Sequence, residues 1–154
     1  MKIQAKSFVF LLLILTMYSC FPCGYLKCGG NNFDGQFRIV DKVTGDDLVF
    51  GPTSIYDKNK IRFFSLNGRD TISYEYTTIK FGGLGYDSIL YVTFYPPPAT
   101  PVFMKLNDAD TDTLLLSYKT SSSKCCGTHT EITKYRYNDS TEFPGNEGTQ
   151  VIRK

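Results

Sequence analysis

Five cysteines and a single histidine are the residues whose types and spacing could do chemistry. Cys20, Cys23 and Cys28 lie near the start, and Cys125 and Cys126 form a doublet far downstream with His129 just beyond it. As thiolates, Cys23, Cys28, Cys125 and Cys126 could join His129 in a tetrahedral zinc site. In an oxidising compartment the same thiols pair as disulfides instead. Adjacent ligands fit a tetrahedron poorly, so the doublet favours disulfides and no metal or other cofactor is expected. A nucleophilic set can be written from His129, Ser121 to Ser123 and an aspartate, yet no Gly-x-Ser-x-Gly elbow is present. Asp108, Asp110 and Asp112 alternate in "NDADTDT" and could hold calcium. An EF-hand loop would need Gly where Thr113 stands and Glu where Lys119 stands, so the expected role is a polar turn, with calcium as the alternative. "FGGLG" (81–85) lacks the Lys-Ser/Thr of a phosphate loop, and no helix follows it. With no nucleophile-base pair and no metal pattern, the chain is not expected to be an enzyme.

The compartment decides how the cysteines behave. Lys2 and Lys6 precede an apolar run from Phe8 to Leu15, and small or polar residues follow. This is the plan of a secretory leader, and the run is short of the ~20 residues a spanning helix needs. The leader ends Met17-Tyr18-Ser19-Cys20, which resembles a bacterial lipobox. The resemblance implies a signal peptide over residues 1–19 and a lipid on Cys20 that anchors the protein to a membrane, at ~0.8 kcal/mol per buried methylene. An ordinary secreted protein with Cys20 in a disulfide is the alternative. Phe21 rather than Asp follows Cys20, which by resemblance to bacterial sorting rules favours the outer membrane of a Gram-negative cell, its face left open. Without Lys2 and Lys6, 15 basic residues balance 15 acidic ones, so no net field draws in nucleic acid.

Lipidation of Cys20 leaves four cysteines, enough for two disulfides. A Cys125–Cys126 bond would be strained. The expectation is therefore that Cys23 and Cys28 each bond one member of the doublet, in either order. Each bridge would close a loop of about 100 residues, worth at most ~4–5 kcal/mol in the chain-entropy model. The membrane tether would thus be clamped to a late hairpin.

Those residues need a scaffold, and the texture after the leader is strand and turn. Residues 20–35 read as a Cys/Gly-rich tether and 36–154 as one domain. "QFRIVDK" places Phe37 and Ile39 on one face, "VTGDD" turns into "LVF", and "KIRFFSL" leads to the hairpin signal Asn67-Gly68. "DTISYEYTT" reads as one strand with Ile72, Tyr74 and Tyr76 inward. "SILYVTFY" alternates Leu90, Val92 and Phe94 against Ile89, Tyr91 and Tyr95. Pro96 to Pro98 and Pro101 should carry the chain between sheets. "VFMKL", "DTLLLSYKT" and "TEITKYRYN" follow, and the tail after Thr141 holds one short edge strand. The expected fold is an all-β, antiparallel, immunoglobulin-like sandwich of seven or eight strands, with a small barrel as runner-up.

The lipobox Cys20, "TGDDLVF" and "DTLLLSYKTSSSKCCG" together resemble small uncharacterised lipoproteins of Bacteroidota. The resemblance implies a β-rich envelope domain and no particular chemistry. Asp70-Thr71-Ile72, Asp87-Ser88-Ile89, Asp112-Thr113-Leu114 and Asp139-Ser140-Thr141 further resemble the O-glycosylation acceptor of Bacteroidota envelope proteins, which implies glycans on Thr71, Ser88, Thr113 and Ser140. Asp-Thr-apolar is also how a turn hands over to a strand. Tyr74, Tyr76, Tyr91, Tyr95, Tyr118, Tyr135 and Tyr137 could pair across strands or form a platform for a ligand. The leading expectation is a non-catalytic envelope lipoprotein with a structural or protein-binding role. The alternative is a carbohydrate- or peptide-binding module of an uptake system, which exposed tyrosines on one sheet face would favour.

Overall fold

The computed structural model describes residues 23, 27–80, 87–99, 101–145 and 148–154. The chain divides into two compact units: residues 1–30 with 121–129, and residues 31–120 with 130–154.

In the first unit the cysteines pair as two disulfides, Cys23–Cys125 and Cys28–Cys126. Their Cα atoms lie 5.3 and 5.2 Å apart, within the range that an S–S bond spans. The order left open by the sequence is thus first to first and second to second. The bonds join residues 102 and 98 positions apart, so each closes a long loop.

The second unit is all β, with two sheets packed together and no α-helix among its described residues. One sheet has the order β10 (Gln150–Arg153), β1 (Asp34–Val40), β5 (Asp87–Thr93), β4 (Tyr76–Lys80). The other has the order β3 (Asp70–Tyr74), β2 (Arg62–Asn67), β6 (Val102–Lys105), β7 (Thr111–Ser123), β8 (Gly127–Tyr137), β9 (Thr141–Pro144). Alternation sets the inner faces. Phe37, Ile39, Leu90, Val92 and Phe94 are buried from one sheet, and Phe63, Val102, Met104, Leu114, Ile132 and Tyr135 from the other. Each such large side chain contributes ~1.5–3 kcal/mol by leaving water. Phe37 meets Tyr135 edge to face at 5.4 Å, and Tyr74 meets Phe94 at 5.5 Å, a geometry aromatic quadrupoles favour. Gly35 faces these rings: a Cβ there would stand 2.7 Å from Phe37 and 2.9 Å from Phe94.

The sandwich and the Pro-rich passage from β5 to β6 match the sequence reading, but the ten strands among the described residues exceed the seven or eight expected. Two differences account for the excess. The stretch 70–80 is two strands, because the chain leaves one sheet after Tyr74 and joins the other at Tyr76, turning a corner at Glu75. The tail holds two strands, β9 beside β8 and β10 parallel to β1, with Phe37 opposite Gln150 and Ile39 opposite Ile152. At Asn67-Gly68 the hairpin forms as read: Asn67 pairs with Asp70, and Gly68 takes the first loop position at φ +63. "LVF" is a correction. Leu48, Val49 and Phe50 are buried but form bends instead of a strand. Asp47 Oδ1 accepts the backbone N–H groups of Val49 and Phe50 and curls the segment, while Oδ2 accepts Arg38 Nε at 3.0 Å.

Candidate functional site: an open tyrosine face

Pairing in the four-stranded sheet fixes which side chains share its outer surface. Tyr91 on β5 stands opposite Gln36 on β1 and Thr77 on β4, and Thr93 stands opposite Asp34. Strand pleating puts all of these on the face turned away from the core. Two concavities flank Tyr91 there. The larger, about 490 Å³, runs from Tyr91, Thr93 and Tyr95 across Tyr76 and Thr77 to Ser73 and the corner residue Glu75. The smaller, about 210 Å³, is polar and lies among Asn32, Asp34 and Gln36, with Tyr91, Tyr135, Gly145 and Gly148 around it.

The larger groove exists because the chain switches sheets at Glu75. The crossing brings Ser73 at the end of β3 and Thr77 at the start of β4 beside β5. Its tyrosines are held in place. Tyr76 is held from the inner side: it pairs with the buried Val92, so its side chain turns inward as the alternation predicts, its ring packing edge to face on the buried Phe63 at 5.7 Å and its hydroxyl donating to the Lys58 carbonyl. The Tyr91 hydroxyl hydrogen-bonds the Asp34 carboxylate, which with some burial and the carboxylate's charge pushes the phenol up to about 12. Thr93 donates to the same carboxylate at 2.7 Å. Tyr95 lies against Phe33 at 5.9 Å yet remains 69% exposed. Such a groove offers aromatic faces for stacking and hydroxyl and carboxylate groups for hydrogen bonds.

With Tyr76, the remaining tyrosines serve the core. Tyr74, Tyr135 and Tyr137 are buried, and Tyr118 packs against the core with its ring 6.3 Å from Phe33. Tyr135 donates to the Asp34 carbonyl at 2.5 Å, and Tyr74 shares a hydrogen bond with Ser65 at 2.8 Å. The seven tyrosines thus divide between the two roles read from the sequence. Nothing in the local pattern singles out Glu75, Thr77 and Thr93, because their convergence depends on strand pairing.

The acidic run does not converge. Asp108 is exposed and pairs with Lys105 at 2.8 Å. Asp110 and Asp112 turn instead to Lys154, whose Nζ lies 2.5 Å from a carboxylate oxygen of each. Tyr56 donates to Asp110 at 2.5 Å, and Asn138 Nδ2 donates to Asp112 at 2.7 Å. An ammonium group therefore stands between two of the three proposed calcium ligands. Burial would raise the Asp110 pKa, but hydrogen bonds from Lys154 and Tyr56 and the Lys154 charge outweigh it and hold the carboxyl below its ordinary range.

The other sequence candidates fall as follows. Cys23, Cys28, Cys125 and Cys126 are bonded in pairs, which removes the thiolates a zinc site would need. Ser123 Oγ accepts the Cys126 N–H, and Ser122 Oγ accepts Thr128 Oγ1, so these hydroxyls hold the turn that carries the doublet. His129 Nδ1 is buried without a partner among the described residues. Thr71 and Ser140 are exposed. Thr113 donates to Asn138 through both its N–H and its hydroxyl. Cys20, the glycine loop at 81–85 and the Ser88 side chain lie outside the described residues. Among those residues no helix is long and apolar enough to cross a membrane.

Fold and site together define the class: a two-sheet β-sandwich with an open, tyrosine-lined groove on one outer face. Comparison with protein-family models, curated proteins and solved structures returned no match to this chain.

Proposed function

We propose that this protein is a non-catalytic cell-envelope lipoprotein, anchored by a lipid on Cys20, whose sandwich binds carbohydrate on the outer face of the four-stranded sheet. The observation that carries the binding role is the groove of about 490 Å³ in which Tyr91 and Tyr95 meet Glu75 and three hydroxyl side chains. Pyranose rings stack their C–H faces on aromatic planes and present hydroxyls at their edges, so this mixture suits them. The envelope location draws support from the leader and from two disulfides, which persist in oxidising compartments. Those bridges use four of the five cysteines and leave Cys20 without a partner in its own chain.

A glycan array probed with the mature protein tests the binding role. Bound glycans should be lost with Tyr95→Ala and Tyr91→Ala. An array without binders, or binding indifferent to both substitutions, overturns it. Metabolic labelling with a fatty-acid analogue tests the anchor: the wild type should incorporate label and Cys20→Ala should not.

A second reading, a protein-binding role, is favoured by the sheet ends. Among the described residues β3 and β4 each terminate their sheet, and such strands accept an added partner strand.

A further inference from the structure

We propose that the groove selects a carbohydrate bearing a protonated amine, an amino sugar with its nitrogen unacylated. The inference rests on the carbohydrate reading above and concerns only the charge of the ligand.

It follows from a missing counter-charge. Among the described residues the groove is lined by Glu75 and by no lysine or arginine, and the polar notch beside it by Asp34 and again by no cation. Among the described residues Glu75 has neither an ion pair nor a hydrogen-bond partner for its carboxylate. Asp34 accepts hydroxyl groups from Thr93 and Tyr91 but pairs with no cation. Several acids elsewhere are matched by a cation, among them Asp47 with Arg38, Asp110 and Asp112 with Lys154 and Glu142 with Lys134. Other acids unmatched among the described residues, such as Asp57 and Asp70, line neither concavity. Arg38 shares the outer face with Asp34 and Gln36, but its Nε is bonded to Asp47. Arg62 approaches Tyr76 and opposes the upward shift that burial gives its phenol, while bonding the carbonyls of Asn59 and Ile61.

Two carboxylates on one face repel an anionic ligand and are indifferent to a neutral one. A sugar ammonium is attracted both by the carboxylates and by the negative faces of the tyrosine rings. The sugar ring can then stack on Tyr95 while its nitrogen lies against Glu75.

Calorimetry on the mature protein with three trisaccharides tests this. At about pH 6 the trimer of glucosamine is cationic, that of N-acetylglucosamine is neutral on the same backbone, and that of galacturonic acid is anionic. The cationic trimer should bind at least about tenfold more tightly than the neutral one, and the anionic trimer should bind worst. Its advantage should shrink as salt rises from about 0.05 to 0.5 M, because the site is open to solvent. Glu75→Gln should bring the cationic trimer down to the neutral affinity with an unchanged circular-dichroism spectrum. Equal binding of cationic and neutral trimers, or a preference that survives Glu75→Gln, overturns the inference while leaving a carbohydrate site standing. Binding of none of the three overturns the carbohydrate reading as well.

Discussion

The molecule contains two clusters built from the same residue types and completed in opposite ways. Tyr56, Asp110 and Asp112 close around Lys154, and every carboxylate oxygen in the group has a donor within 2.7 Å. Tyr91, Tyr95, Asp34 and Glu75 lie open on the outer face of the four-stranded sheet with no internal cation. Tyrosine beside carboxylate is therefore not diagnostic by itself. Under the proposed reading, the internal counter-charge is what separates the closed structural cluster from the open one. The substitutions below break one cluster or the other, and their effects should fall on different observables.

The largest effect should come from Lys154→Ala. Its removal leaves Asp110 and Asp112 facing each other without a cation, with the Asp112 side chain only 7% exposed. Taking one partner from a buried pair costs a few kcal/mol because the other charge stays desolvated, and the partial exposure of Asp110 reduces that. Urea unfolding should show a loss of about 2–3 kcal/mol. Glycan binding should be unaffected at concentrations where the variant is folded. A loss below about 0.5 kcal/mol would place the cluster with ordinary surface pairs.

The same cluster should shape the acid limb of the stability curve. The folded Asp110 carboxyl titrates below its unfolded value, so its contribution is fully present above the ordinary aspartate range. As pH falls through the depressed folded value, that contribution is lost. The wild type should therefore lose stability below about pH 4, and Lys154→Ala should show a flatter acid limb. Chemical unfolding at steps between about pH 5 and 2 checks this. A parallel fall in both proteins would show that other carboxylates set the limb.

The contrast also shows what sequence could reveal. Within a strand, alternation is sufficient: Phe37 with Ile39, and Leu90 with Val92 and Phe94, point inward as their spacing says. Asn67-Gly68 marks its hairpin because its chemistry is local. The cysteine pairing was legible as to partners, since strain excludes a bond within the doublet, but not as to order. What escaped depends on distant pairing. Ile72, Tyr74 and Tyr76 keep one alternating rhythm straight through Glu75, so the pattern carries no sign that the chain changes sheets there. Lys154 lies 44 and 42 residues from its two aspartates and reaches them only because β10 pairs with β1. The groove needs both the corner at Glu75 and the register of β4 on β5.

On the open face, Tyr95→Ala should reverse the observables. Tyr95 is largely exposed, so its removal should change stability by no more than about 0.5 kcal/mol. Loss of its stacking surface should weaken glycan binding about tenfold, or about 1.4 kcal/mol. A stability loss comparable to that of Lys154→Ala would mean Tyr95 is a packing residue, and the two clusters would no longer differ in kind.

The smallest and sharpest test is Asp34→Asn, which removes a charge without removing volume. The Tyr91 phenol is pushed up to about 12 first by its hydrogen bond to Asp34, then by burial and the nearby charge. An amide still accepts a hydrogen bond but is not an anion, so the phenol should fall back toward the ordinary tyrosine value of about 10. Ultraviolet titration of phenolate should register one tyrosine moving down. Stability should change by less than about 0.5 kcal/mol, since Thr93 and Tyr91 keep an acceptor. In the closed cluster the corresponding change, Asp110→Asn, would weaken a partner of Lys154 and cost measurably more. If the two substitutions cost the same, then the carboxylate on the open face is as structurally engaged as the one in the closed cluster. The missing counter-charge would then not mark a binding site.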